Sequence, residues 1–287
     1  MKIIDFRCRP PFGNFKKDWI FNLEDTPESE GLITKYRKMS AQMPKSLLCS
    51  SMDLFFQECA DIGIYLNVVP IRRLAFLNNK VLVELLKRWP DRFIGFAGLS
   101  PMQQGLKSCK EEIDNFVMDG PCKGIYLEPG LDDPAWEIDS EKFYPIYDKC
   151  EKCKIPLMIL FGGVFHKKNP PLYNIYHPER IERLAGAFPD LKIMLAHAGW
   201  PFAAQTCAVA LNYKNIWLCP DGFMLNHPAS QDFVVAANYR LQDKIVFGSL
   251  YPAMSPEYAV NEYKRLLRED VREKVFFKNG AEFLDLG

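Results

Sequence analysis

The sequence predicts an α/β protein built as a (β/α)8 TIM barrel with a long inserted segment after the first strand. Three observations carry that expectation. Eight short runs rich in β-branched and apolar residues recur along the chain, a helical pattern follows nearly every one of them, and no glycine-rich dinucleotide turn follows the first run. The runs are residues 2–6, 63–69, 93–99, 124–127, 156–161, 192–196, 216–219 and 244–247. They lack strict polar alternation, as parallel strands covered on both faces do. Helical patterns occupy 52–61, 79–89, 106–117, 143–152, 178–188, 203–211 and 232–239, with 256–268 and 270–283 after the eighth run. Arg7-Cys8-Arg9-Pro10-Pro11 follows the first run, which argues against an open dinucleotide-binding sheet. Right-handed crossovers then place every strand's carboxyl end on one rim.

The first connection is the exception to short loops. Residues 7–51 separate the first strand from its helix, and Pro10, Pro11, Trp19, Phe21, Tyr36 and Pro44 make this segment unlike a flexible linker. Because it leaves the carboxyl rim, residues 10–50 are expected to form a partly helical lid. The 287 residues are expected to form a single domain, since α/β barrels often exceed the ordinary domain length.

Composition excludes several classes. Hydrophobic residues make up 48% and charged residues 25%, which is globular rather than disordered. Thirty-six basic residues balance thirty-six acidic ones, so no surplus of positive charge points to a nucleic acid or an anionic membrane. Residues 193–213 carry no charge, but Gly199-Trp200-Pro201 and the polar His197, Gln205, Thr206 and Asn212 favour a buried strand, a turn and a helix over a membrane span. Nine scattered cysteines and the lack of an apolar signal core favour a reducing cytoplasm with free thiols. Cys150 and Cys153 have CxxC spacing but fall late in a helical pattern, where two buried or half-buried thiols are expected.

Barrel enzymes take their chemical groups from strand ends. The first strand ends in Arg7 and Arg9, two apart and therefore on one side. Glu128 ends the fourth, His197 the sixth, Asp221 the seventh, and Ser249-Leu250-Tyr251-Pro252 the eighth. Two arginines, two carboxylates and a histidine on one rim are costly to desolvate unless paired or occupied. An ion-pair network satisfies that condition. So does an anionic substrate, a carboxylate gripped by an arginine, with His197 and Asp221 on adjacent strands sharing a proton or a water. His166 could fold over the pocket, Trp200 and Tyr251 could wall it, and His177 and His227, each before a proline, are expected in turns at helix starts. Ser249 lacks the Gly-x-Ser-x-Gly setting of a nucleophile.

These residues resemble the amidohydrolase-related superfamily. Ile4-Asp5-Phe6 with like residues at 7 and 9 resembles its opening, where that place carries His-x-His. Residues 195–201 (Leu-Ala-His-Ala-Gly-Trp-Pro), 247–252 (Phe-Gly-Ser-Leu-Tyr-Pro) and 278–281 (Lys-Asn-Gly-Ala) resemble its later signatures, and the likeness runs from residue 3 to about 284. It is closest to the branch of small hydrolases, lactonases and decarboxylases, and it implies a (β/α)8 barrel. The departures concern the metal. Arg7 and Arg9 stand where metal-binding histidines are expected, Leu160-Phe161 where a strand-five histidine is, and Leu250 where the strand-eight aspartate is. Of that ligand set only His197 survives, and the arginines repel a divalent ion.

The resemblance therefore implies a hydrolase of a small carboxylate-bearing lactone or amide, working without a metal. In it Arg7 and Arg9 hold the carboxylate, Asp221 and His197 move the proton, and Glu128 orients a second group. The alternatives are a decarboxylase or hydrolase with zinc or manganese relocated to Glu128, His197 and Asp221, and an inactive barrel that binds a small anion. A homodimer formed through the outer helices is the default expectation for such barrels.

Overall fold

The computed structural model of the chain describes residues 1–27, 29–73, 77–163 and 172–286. Seven parallel strands lie side by side in chain order: β1 (Ile3–Asp5), β2 (Ile64–Pro70), β3 (Phe93–Leu99), β4 (Gly124–Leu127), β5 (Leu157–Leu160), β6 (Ile193–Ala196) and β7 (Ile216–Cys219). The eighth run, 244–247, closes the barrel but is not a regular strand. It bonds β7 twice, through Leu218 N–H to the Lys244 carbonyl and Val246 N–H to the Leu218 carbonyl (both 2.9 Å), and the Phe6 N–H reaches the Phe247 carbonyl on its other side (3.0 Å). The ladder stops there because the Phe247 N–H turns to the Val275 carbonyl instead.

Helices surround the sheet. Within the first connection lie α1 (Leu32–Lys38) and α2 (Lys45–Leu48), preceded by 3-10 turns at Gly13–Lys17 and Trp19–Phe21. Then come α3 (Met52–Ile62), α4 (Asn79–Arg88), α5 (Pro101–Ile113), α6 (Tyr144–Lys152), α7 (Leu172–Ile175), α8 (Pro178–Ala187), α9 (Ala203–Asn212), α10 (Ser230–Asn238), α11 (Pro256–Leu266), α12 (Glu269–Glu273) and α13 (Asn279–Leu284). Their ends follow local chemistry. The Ser51 side chain accepts the Leu54 amide to start α3, and Gly63, at φ 89°, stops it. Residues Pro101–Ile113 are two helical stretches joined by a kink at Gly105, whose φ 75° and ψ 162° are not helical, so the expected helix from 106 starts just past that glycine. His177 sits at the extended residue before Pro178 of α8, as its sequence context predicts.

Both faces of the sheet are apolar. Ile4, Phe6, Leu66, Val68, Met158, Leu160, Met194 and Val246 point into the barrel, while Ile3, Ile64, Ile159, Leu195 and Ile245 meet the helices. Phe283 of α13 enters the barrel base, with ring centroids 6.0 Å from Phe6, 5.5 Å from Trp217 and 6.3 Å from Phe96. At the end of α6 Cys150 is buried but Cys153 is exposed, so only one of that pair is a core thiol. The uncharged stretch 193–213 is β6, a 3-10 turn and α9, and no helix among the described residues is long and apolar enough to cross a membrane.

Candidate active site

The strand ends converge at the carboxyl rim. His197 directly follows β6 and Asp221 follows β7 by two residues, and the imidazole Nδ1 lies 2.9 and 2.7 Å from the two oxygens of that carboxylate. The carboxylate accepts, so Nδ1 carries the hydrogen and Nε2 keeps its lone pair. Arg7 donates from Nε to the same carboxylate (3.2 Å) and from Nη1 to the Tyr126 hydroxyl (3.2 Å). Arg7 and Arg9 both face the Tyr126 ring, with guanidinium carbons 5.8 and 6.0 Å from its centroid, as their spacing predicts. Behind Arg7, Asp5 ties the barrel shut by accepting the Ser249 amide (2.8 Å), the Ser249 hydroxyl (2.5 Å) and the Arg7 amide (3.0 Å). Ser249 is thereby a structural donor.

Backbone conformation at this rim is unusual. His197 (φ 65°), Ala198 (φ 46°), Asp221 (φ 44°) and Leu250 (φ 64°) all occupy the left-handed region without being glycine. Each such residue stores about 1–2 kcal/mol of strain. The ends of β6, β7 and the eighth run are thus bent to aim side chains rather than to continue strands.

A second ionic cluster adjoins the first. Glu128 accepts the Tyr126 hydroxyl (2.9 Å) and Arg72 Nε (3.2 Å to each oxygen), and Arg72 Nη1 donates to Asp18 of the first connection (3.2 Å). The expected role of Glu128 in orienting a water therefore changes, because its carboxylate is engaged by Arg72 and Tyr126. Arg72 and Asp18 were not anticipated as site residues. Arg9 is the outlier: its Nη2 is 3.6 Å from Glu128, and neither Nε nor Nη2 has a hydrogen-bond partner although both atoms are buried.

The two clusters border a cavity of about 500 Å3 whose lining includes the polar Arg7, Arg9, Arg72 and His197 and the apolar Phe223, Leu225, Leu250 and Met254. Trp19, Ile20, Lys35 and Met39 of the first connection also line it. Tyr251 is a wall, with its hydroxyl turned to Ser46 (3.0 Å). Trp200 is not part of the lining; it packs behind Phe223, ring centroids 5.0 Å apart, and donates its indole N–H to the Pro228 carbonyl (2.6 Å). His227, expected only in a turn, lines the cavity. Its ring lies 4.7 Å from Phe223, and its Nδ1 bonds the Leu225 carbonyl (2.7 Å). His166 lies outside the described residues. Gly163 fits between His197 and Phe223, since a Cβ there would stand 2.8 Å from the imidazole and 2.6 Å from the phenyl ring.

Burial dominates the electrostatics. It lowers the His197 imidazole below its usual 6.5, outweighing the adjacent Asp221 carboxylate. His197 is therefore neutral at pH 7. Burial opposes ionisation of Glu128 too, but the Arg72 and then the Arg9 guanidinium overcome it and hold the carboxyl below 4.5. An activity that needs the neutral imidazole should persist below pH 6.5 and fall only as His197 takes up a proton. The stability contribution has the same sense. Below pH 6.5 the unfolded chain binds a proton that the folded one refuses, so stability from this group rises with pH through that window and levels off above 6.5. Paired pH–rate and pH–denaturation profiles of wild type check both.

The superfamily's divalent metal does not fit these side chains. Two guanidiniums stand at the first-strand positions, Leu250 lines the cavity at the strand-eight position, and the one surviving imidazole is bound to Asp221. The relocated set Glu128, His197 and Asp221 does not assemble either. Arg7 and Tyr126 link Asp221 to Glu128, and among the described residues no three of His, Cys, Asp and Glu group to hold an ion. Dialysis against a chelator should leave both turnover and thermal midpoint unchanged, and added zinc or manganese should raise neither.

The parallel barrel with its surrounding helices has the architecture of the TIM-barrel amidohydrolases. The chain belongs to the amidohydrolase family, whose Amidohydro_2 model matches residues 4–286. Among solved structures it is similar to an uncharacterised TIM-barrel protein from Bordetella bronchiseptica, at 29% identity over 99% of each chain with a TM-score of 0.85. It also shares its fold with 2,6-dihydroxybenzoate decarboxylase from Rhizobium (15% identity, 100% of this chain and 99% of that one, TM-score 0.67). The same holds for 5-carboxyvanillate decarboxylase from Sphingomonas paucimobilis (14%, 100% and 99%, 0.65). No curated protein matches the chain.

Proposed function

We propose that this site binds a small hydroxylated ring carboxylate and decarboxylates it by proton transfer through His197, with no metal ion. The observation that carries the reading is Arg9, a buried guanidinium with unbonded N–H groups on Nε and Nη2 that shares the cavity with the buried His197 imidazole. A buried cation whose N–H groups lack acceptors is expensive, and a carboxylate is the ligand whose geometry matches the guanidinium fork. The choice of decarboxylation rests on the ring-carboxylate decarboxylases that share the fold along their whole length.

The chemistry balances with the residues present. His197 Nε2 takes the proton of a ring hydroxyl, and Asp221 steadies the imidazolium. The imidazolium then returns that proton to the ring carbon bearing the carboxylate. The carbon–carbon bond breaks, its electron pair enters the ring, and CO2 leaves. Solvent protonates the ring oxygen, so one proton is consumed per turnover. Arg9 spans the carboxylate and the ring oxygen, so negative charge moving between them stays within one fork. Residues 10–50 act as the lid that keeps water from the cavity, held down where Tyr36 donates to the Pro252 carbonyl (3.0 Å) and where Arg72 meets Asp18.

A second reading, hydrolysis of a lactone, is favoured by the neutral base itself, since Nε2 could activate water with the arginines holding the oxyanion. A weakly buffered assay at pH 6 under inert-gas flushing separates the two, using hydroxybenzoates and carboxylated lactones as substrates. Decarboxylation takes up protons and releases CO2, whereas lactone opening releases protons and no gas. Proton release without CO2 would replace the first reading by the second.

A further inference from the structure

The cations of the cavity do not all have partners. Arg7 is neutralised by Asp221, Arg72 by Glu128 and Asp18, and Lys38 by Glu30. Less fully paired among the described residues are Arg9 at the carboxyl rim, with Nη2 3.6 Å from Glu128 and with Nε and Nη2 lacking hydrogen-bond partners, and Lys35 of α1 in the cavity lining. Lys35 has no carboxylate within ion-pair distance among the described residues. Its ammonium stands 5.9 Å from the Trp19 ring, whose other cationic neighbour is Arg72 at 5.0 Å. Burial lowers its affinity for a proton by more than the nearby Glu30 and Asp25 carboxylates raise it. The same cavity is also lined by the apolar Leu225, Leu250 and Met254.

We propose that Lys35 is a second anion contact, so that the ligand of this cavity is a dianion carrying one acidic group on Arg9 and another on Lys35, with its ring against the apolar wall. This rests on the reading that the cavity takes a carboxylate. The group at Arg9 is the one that reacts, and the group at Lys35 selects the substrate, because a monoacid leaves the lysine desolvated and unpaired.

The test is calorimetric titration at fixed ionic strength with benzoate and three dianions of increasing span: isophthalate, terephthalate and 4-carboxyphenylacetate. At least one dianion should bind wild type about tenfold more tightly than benzoate, the effect of one added charge-assisted hydrogen bond. In Lys35→Met the ratio of dianion to benzoate affinity should fall to near one, and Lys35→Arg should restore it. Arg9→Met should abolish binding of both ligand types. A ratio near one in wild type for all three dianions, or a ratio kept in Lys35→Met, overturns the second contact while leaving the carboxylate site standing. Failure of every acid to bind wild type overturns both.

Discussion

His197→Asn should lower turnover of a decarboxylated substrate by about 10²–10⁴-fold, the usual contribution of a positioned acid–base group, while leaving its binding within a few-fold. Asparagine is the informative replacement for two reasons. Its amide can donate to Asp221 from the place of Nδ1, so the 2.7 Å contact survives while the base at Nε2 is removed. It also tolerates the left-handed backbone that His197 adopts at φ 65° better than other residues do. Single-turnover proton uptake measures the effect. A variant that turned over at the wild-type rate would remove His197 from the chemistry.

Arg7 and Arg9 are two residues apart and should respond in opposite ways to loss of charge. Arg7→Met leaves the Asp221 carboxylate, which is fully buried, with only the His197 imidazole beside it. Breaking a buried pair from one side costs about 3–5 kcal/mol, so the urea midpoint should drop sharply. Arg9→Met removes a cation with unbonded N–H groups, and Glu128 keeps Arg72 and Tyr126. Stability should hold or rise by about 1 kcal/mol, while affinity for benzoate is lost. Equal destabilisation by the two substitutions would mean that Arg9 is part of the scaffold rather than a ligand-binding group.

Most of the barrel was legible because its strands are buried on both faces, which concentrates β-branched and apolar residues into runs that turns then punctuate. The eighth run was found but overstated, since Phe247 gives its N–H to Val275 and no residue type announces that exchange. At the site, the strand-end rule named Arg7, Arg9, Glu128, His197 and Asp221, which the structure brings together at the carboxyl rim. It would also have found Arg72, two residues past β2 in Pro70-Ile71-Arg72, had that strand end been weighed with the others. Asp18 was out of reach, because its contact with Arg72 depends on how the long first connection folds back. Partnership was not legible either: composition gives the charges, but only coordinates divide them into Arg7 with Asp221, Arg72 with Glu128, and Arg9 with neither fully.

The ring of Phe283 set in the barrel base against Phe6 has a consequence for biosynthesis. The two phenyl groups belong to nearly opposite ends of the chain, so the first strand emerges from the ribosome long before the side chain that seals its inner face. Until α13 is released, Phe6, Phe96 and Trp217 share a floor exposed to water. The interior of the nascent chain therefore becomes dry only once Phe283 has been made, after all seven strands. Chaperone demand in the cell should be concentrated in that interval.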